Sequence, residues 1–361
     1  METELYSRRS FLASSTAAGL MPTLTWADAG APHYLSAARM PDGSHRLFGL
    51  DSHVQPVFSV PLPERGHAAA LHPDRPEAVA FARRPGTFAL IGDCARGLQI
   101  ATLAAPAERH FYGHGAFSAD GRRLFTTENA YEIGEGRIGI WAADQGYRRT
   151  GEFYSGGVGP HDMVRLPGTN ILAVANGGID THPETGREKL NLPTMQPNLT
   201  YVTTAGELLE QVTLSPAMRL NSIRHLAVRS DALVAFGCQW QGDLRAAPSL
   251  LGTHRLGGGV RFAEHPAEDH ARLEGYVGSV AFSGDGSTLC ISAPRGDAAQ
   301  LFDVSSMSFV AKITSQDICG IAQGPTDFVA TTGFGYAGDL HKLDAFEPQN
   351  LAWDNHLVKR R

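Results

Sequence analysis

The sequence predicts an all-β fold, a seven-bladed β-propeller with four-stranded blades around a central channel, and three observations carry the prediction. First, 40 Gly and 21 Pro in 361 residues are too many for a helical protein and too aperiodic for collagen, and they suit many short strands joined by tight turns. Second, a chain that is 42% hydrophobic and 19% charged has enough apolar material for a large core. Third, one frame of a short apolar strand followed by an Asp, Gly or Pro turn recurs along the chain.

The frame starts with Tyr34-Leu35-Ser36-Ala37-Ala38-Arg39-Met40-Pro41-Asp42-Gly43 and returns as Gly66-His67-Ala68-Ala69-Ala70-Leu71-His72-Pro73-Asp74. Gly113 to Gly121, Pro160 to Gly168, Arg224 to Asp231, Gly278 to Gly286 and Cys319 to Asp327 repeat it. With Ser36, His67, His114, His161, His225, Ser279 and Gly320 aligned, the steps are 31, 47, 47, 64, 54 and 41 residues, the spacing of propeller blades. The third repeat shows its four strands most plainly, His110 to Ser118, Arg123 to Asn129, Arg137 to Ala142 and Tyr147 to Tyr154. One blade cannot bury its own faces, so residues 30–361 are expected to form a single domain. The short first repeat leaves the closure of the ring open.

Residues 1–29 read as an address. Ser7-Arg8-Arg9-Ser10-Phe11-Leu12, a weakly apolar stretch and Ala27-Asp28-Ala29 come in the order of a twin-arginine export signal with its cleavage site. The expected location is the periplasm, with no membrane span in the mature chain. This route carries folded proteins, often ones loaded with a metal or cofactor first. Cys94, Cys238, Cys290 and Cys319 allow disulfides there, but their spacing selects no pairing. A net charge of -6 without a basic stripe removes the electrostatic drive for binding nucleic acid.

The aligned column lies where each first strand enters the channel, and histidine fills it in four consecutive repeats. His67, His114, His161 and His225 therefore form a candidate metal site at the channel mouth. Converging imidazoles suit copper, iron or zinc, of which iron or copper is the leading expectation, whereas carboxylates alone would favour calcium or magnesium. His72, in a turn, reads as solvated, and His33, His45, His53, His254, His265, His270, His341 and His356 fit no shared register.

The second strands end at the same face and supply a polar rim of Arg83, Arg84, Glu128, Asn129, Asn176, Gln239 and Arg295. Glu128 is placed to complete a coordination shell or orient an imidazole, and the arginines to attract an anion. The loop from Gly177 to Met195 is long enough to overhang this face, with His182, Arg187 and Met195 as capping residues and Met195 a soft ligand for cuprous ion.

The strings Gly113-His114, Thr127-Glu128-Asn129, Gly159-Pro160-His161, Ala175-Asn176-Gly177-Gly178-Ile179, Thr181-His182-Pro183, Gly186-Arg187, Ile223-Arg224-His225-Leu226 and Pro294-Arg295-Gly296 together resemble the bacterial family catalogued as domain of unknown function 1513. That resemblance implies a periplasmic propeller shaped like the quinoprotein amine dehydrogenase and YVTN-repeat propellers. It also implies imelysin-like and dihaem-peroxidase-like proteins as partners in iron uptake. The leading expectation is a metal-handling protein without turnover. A metal-dependent oxidoreductase and a protein-interaction platform with structural histidines are the alternatives. No Gly-x-Ser-x-Gly, His-Glu-x-x-His or phosphate-cradling motif supports hydrolase or nucleotide chemistry.

Overall fold

A computed structural model describes residues 24–83, 87–186, 188–345 and 347–360. The described chain forms seven antiparallel sheets arranged as the blades of a propeller. The innermost strands of blades 2 to 7 are Gly66–Leu71, Arg109–Phe117, Pro160–Arg165, Asn221–Val228, Ser279–Phe282 and Ile318–Gln323. In the third blade the strands are Arg109–Phe117, Arg123–Ala130, Glu135–Ala142 and Arg148–Tyr154, within about two residues of the sequence reading. Among the described residues the seventh blade has three strands, with the turns of residues 340–345 packed against the last two.

Burial follows position within a blade. Second strands such as Ile171–Asn176 and Thr288–Ala293 are covered on both faces by neighbouring blades and are almost wholly buried. An outer strand such as Arg148–Tyr154 alternates exposed and half-buried residues, because only one face meets another blade. The largest apolar cluster runs through blades 4 to 6, joining Tyr201, Phe236 and Phe302. Among the described residues no helix is long and apolar enough to cross a membrane.

The C-terminus closes the ring. Ala352–Trp353 pairs with Ala38 and Arg39, and Val358–Lys359 pairs with Tyr34 and Leu35, so these two segments form the inner edge of blade 1. Tyr34–Arg39 is thus the second strand of its blade, and Ser36 does not hold the aligned channel position. That place falls in the break between the two closing segments, at His356. The 31-residue first step arises because the inner strand of blade 1 lies at the other end of the chain.

The export-signal motif Ser7-Arg8-Arg9-Ser10-Phe11-Leu12 lies outside the described residues. Trp26 is buried between blades 1 and 2, where its indole Nε1 donates to the His72 carbonyl at 3.0 Å and Arg360 lies over its ring. Among the described residues, the first buried side chain therefore precedes the Ala27-Asp28-Ala29 site.

His72 is buried rather than solvated, at 3% exposure. Its Nδ1 accepts the backbone N–H groups of Asp74 at 3.1 Å and Arg75 at 2.9 Å, which closes the turn and requires that nitrogen to be unprotonated. Burial and the Arg75 charge lower its pKa, outweighing the nearby Glu77 and Asp74. A histidine held neutral stabilises the fold fully above the free imidazole pKa near 6.5, and loses that contribution as pH falls below it. Asn at this position accepts the same two N–H groups without titrating. His72→Asn is accordingly expected to flatten the fall in urea midpoint between pH 7 and pH 5, and an unchanged slope would refute this role.

Candidate functional site

Each histidine of the column sits at an irregularity in its strand. The ladder shifts register between Gly66 and Ala69, Phe111 and Gly115, Pro160 and Asp162, and Ile223 and His225, bracketing or bounding the four histidines. A bulge leaves a residue unpaired and re-aims its side chain, which turns these imidazoles toward the channel axis. Gly113 shows the crowding that results. Its φ is +96°, and a Cβ there would lie 2.5 Å from Cδ2 of the His67 ring.

The outcome is a closed ring of five imidazoles, one from each of blades 1 to 5. Centroids of His356 and His67 are 4.5 Å apart, and the His67–His114, His114–His161, His161–His225 and His225–His356 separations are each 5.0 Å. Ring nitrogens of His67, His114 and His356 lie within 4.8 Å of one another, as do those of His114, His161 and His225. His114 belongs to both groups. In the remaining two blades the column holds Ser279 and Gly320, and the Ser279 hydroxyl bonds to the Ile321 backbone.

Two of the rings have their tautomers set from behind. Nδ1 of His114 donates to Asp162 Oδ1 at 2.9 Å, and Nδ1 of His161 donates to the Arg224 carbonyl at 3.2 Å, so in each ring Nε2 is the nitrogen left to meet a ligand. Asp162 is fixed in turn by the backbone N–H of Leu226 at 2.9 Å and by that of Met163 at 2.7 Å. Burial works against ionisation of this carboxyl, but His114, His225 and the Leu226 N–H outweigh it and hold its pKa below the usual range. Burial and the surrounding histidines and arginines hold His161 and His356 well below the ordinary imidazole value, and push His225 down to about 3. All three are neutral donors at neutral pH.

Among the described residues, Nε2 of His114, Nε2 of His356 and both ring nitrogens of His225 have no hydrogen-bond partner. Leaving a buried polar group unsatisfied costs about 1–3 kcal/mol, so four such atoms in one cluster are a poor arrangement for a purely structural role.

The ring divides the channel. Above it, a cavity of about 340 Å³ has His67, His161 and His225 in its floor, and below it a channel of about 700 Å³ runs between the inner strands, past His114, His225 and His356. The site is therefore a constriction inside the channel rather than an open mouth.

The polar rim divides. Arg83, Gln239 and Arg295 line the upper cavity, whereas Arg84 lies outside the described residues. Glu128 faces away from the histidines and into its blade, where Arg149 grips it at 2.7 and 2.9 Å and Thr126 donates to it. Burial raises the Glu128 pKa despite Arg149. The carboxylate that meets the ring is Asp162. Asn129 donates to the Thr181 carbonyl at 2.9 Å and pins the start of the long loop, and Asn176 is used in a buried network with Ser155, Asn198 and Thr200.

That loop does roof the cavity, through Ile179, Thr181, Pro183, Gly186 and Lys189. His182 instead faces Glu132 at 3.3 Å and the Tyr131 ring, and Arg187 lies outside the described residues. Met195 is buried away from the cavity lining, so no thioether faces the histidines there. The four cysteines are buried free thiols with raised pKa values, Cys319 to about 12.

The family described as Protein of unknown function (DUF1513) matches residues 60–360. The chain belongs to this family. The matched span contains all five histidines and Asp162. No curated protein matches the sequence. Among solved structures, Kuenenia stuttgartiensis hydrazine synthase is similar, with a TM-score of 0.59 and 13% identity over 86% of this chain and 89% of that one. The likeness of this DUF1513 member to hydrazine synthase is one of fold alone.

Proposed function

We propose that this protein binds one transition-metal ion, iron or copper, at the five-histidine constriction, and that it holds or hands on the ion rather than turning over a substrate. The observation that carries the reading is the convergence of buried imidazoles in which Nε2 of His114, Nε2 of His356 and both ring nitrogens of His225 lack hydrogen-bond partners among the described residues, with ring nitrogens gathered in two overlapping groups of three. An all-nitrogen set suits copper, iron, nickel and zinc, and copper(II) heads the usual affinity order. Asp162 behind His114 and the Arg224 carbonyl behind His161 provide the outer support that metal-bound imidazoles use. Tetrahedral bonds of about 2.1 Å need nitrogens about 3.4 Å apart, a separation compatible with ring nitrogens gathered within 4.8 Å of one another. The leader-like N-terminal sequence supports loading before export, with use in the periplasm.

The test is elemental analysis of untagged protein purified from the periplasm, beside a His114→Ala/His161→Ala variant. About one equivalent of iron or copper is expected, lost in a variant whose circular dichroism is unchanged. Metal-free protein that stays metal-free after incubation with either ion would overturn the reading.

A further inference from the structure

Among the described residues, the cavity above the histidines is lined by four cationic side chains, Arg83, Lys189, Arg224 and Arg295, and by no carboxylate. In a chain of net charge -6 this is a local reversal of sign. Lys189 and Arg295 form no ion pair with a carboxylate among the described residues, and Arg295 is stacked over the Tyr276 ring at 4.5 Å. Arg83 lies 3.8 Å from Asp354, a carboxylate that Arg65 holds at 2.7 Å. The four cations come from four elements: the end of a blade 2 strand, the roofing loop, the blade 5 inner strand and the turn after a blade 6 strand.

We propose that this cavity is a binding site for a small polycarboxylate of the citrate type, which sits over the histidines and supplies oxygen donors to the metal. Only the second half of this statement rests on the proposed metal site; the anion site stands on the cavity itself. Charge spread around a rim matches several carboxylates on one small molecule better than a single tetrahedral oxyanion. Guanidinium groups hold carboxylates through paired N–H donors, and Gln239, Gln241 and Asn355 add neutral polar groups to the wall. The fit to the floor is chemical as well. Neutral imidazoles alone satisfy a hard ferric ion poorly, and a carboxylate arriving with it brings the anionic oxygen it favours. The crowding of positive charge has its own signature, since burial together with Arg224 and Arg295 lowers the Lys189 pKa.

Calorimetric titration of citrate into metal-free protein tests the site, with Lys189→Gln/Arg295→Gln and His114→Ala, a histidine that does not line this cavity, as companions. Both cations removed are on the surface, so folding is expected to survive, as a thermal melt checks. Wild type is expected to bind citrate, the charge variant to bind about tenfold more weakly for each cation lost, and the histidine variant to bind within about threefold of wild type. Equal citrate affinity in wild type and charge variant overturns the site. Tighter binding of inorganic phosphate than of citrate overturns the polycarboxylate assignment. In a separate arm, citrate is expected to raise ferric retention by wild type about tenfold and to leave the charge variant unchanged. Citrate binding without any metal uptake defeats the metal reading and leaves the anion site standing.

Discussion

His114→Ala is expected to lower the affinity for copper or iron by about a thousandfold, more than His67→Ala or His161→Ala, and Asp162→Asn by about 10- to 100-fold. The asymmetry follows from geometry. His114 is common to the two groups of three nitrogens, so its loss leaves neither complete, whereas loss of His67 or His161 leaves one intact. Asp162 does not face the proposed ion directly. It orients His114, and its negative charge makes that imidazole a better donor when a cation binds. Asparagine preserves an acceptor for the ring N–H and removes the charge, which separates orientation from electrostatics. Competition with a chelator of known affinity measures each step, and unchanged circular dichroism shows that the blades are intact. Equal affinities across all four variants would show that the metal sits elsewhere.

How much of this site could be read from sequence depends on how each residue reaches it. His67, His114, His161 and His225 were visible because they recur at one offset in a repeating frame, and a propeller turns a repeated offset into a ring. His356 was not, because the closing segment carries only two short ladders and lies a whole chain length from the blade it completes. Asp162 was hidden by its neighbour. In a regular strand it would face opposite to His161, and only the register shift between Pro160 and Asp162 sets that alternation aside. The flanking Gly113, Gly115 and Pro160 are the sequence trace of such breaks, since glycine and proline inside a strand mark bulges. Glu128 failed for the converse reason. Its strand is regular, and at that position regular pleating aims the side chain at Arg149 and away from the axis. The cationic roof was half legible, with Arg83 and Arg295 at strand ends but Lys189 and Arg224 brought in by a loop and a bulge.

Deleting residues 352–361 is expected to abolish cooperative folding, although it removes no complete blade. The segment forms the inner edge of blade 1 and carries Trp353 and Leu357, both buried, with the Trp353 ring edge-on to Phe48 at 5.4 Å. It also carries Asp354, which receives two bonds from Arg65, and Arg360, whose N–H donates to the His33 carbonyl. Losing a buried tryptophan costs about 3–5 kcal/mol and a leucine about 2–5, which together consume most of a typical stability of about 5–15 kcal/mol. The opened ring would also expose the inner edge of Tyr34–Arg39, an unpaired strand that invites aggregation. A permuted chain separates closure from chemistry. Because the Arg360 N–H meets the His33 carbonyl, residues 352–360 can be joined by a short linker ahead of Leu24 and still reach their place in blade 1. That permutant is expected to regain a single cooperative melt and full metal uptake. The same permutant with His356→Ala is expected to regain the melt and to bind metal more weakly than its parent. If it binds metal as its parent does, the fifth imidazole belongs to closure of the ring and not to the site.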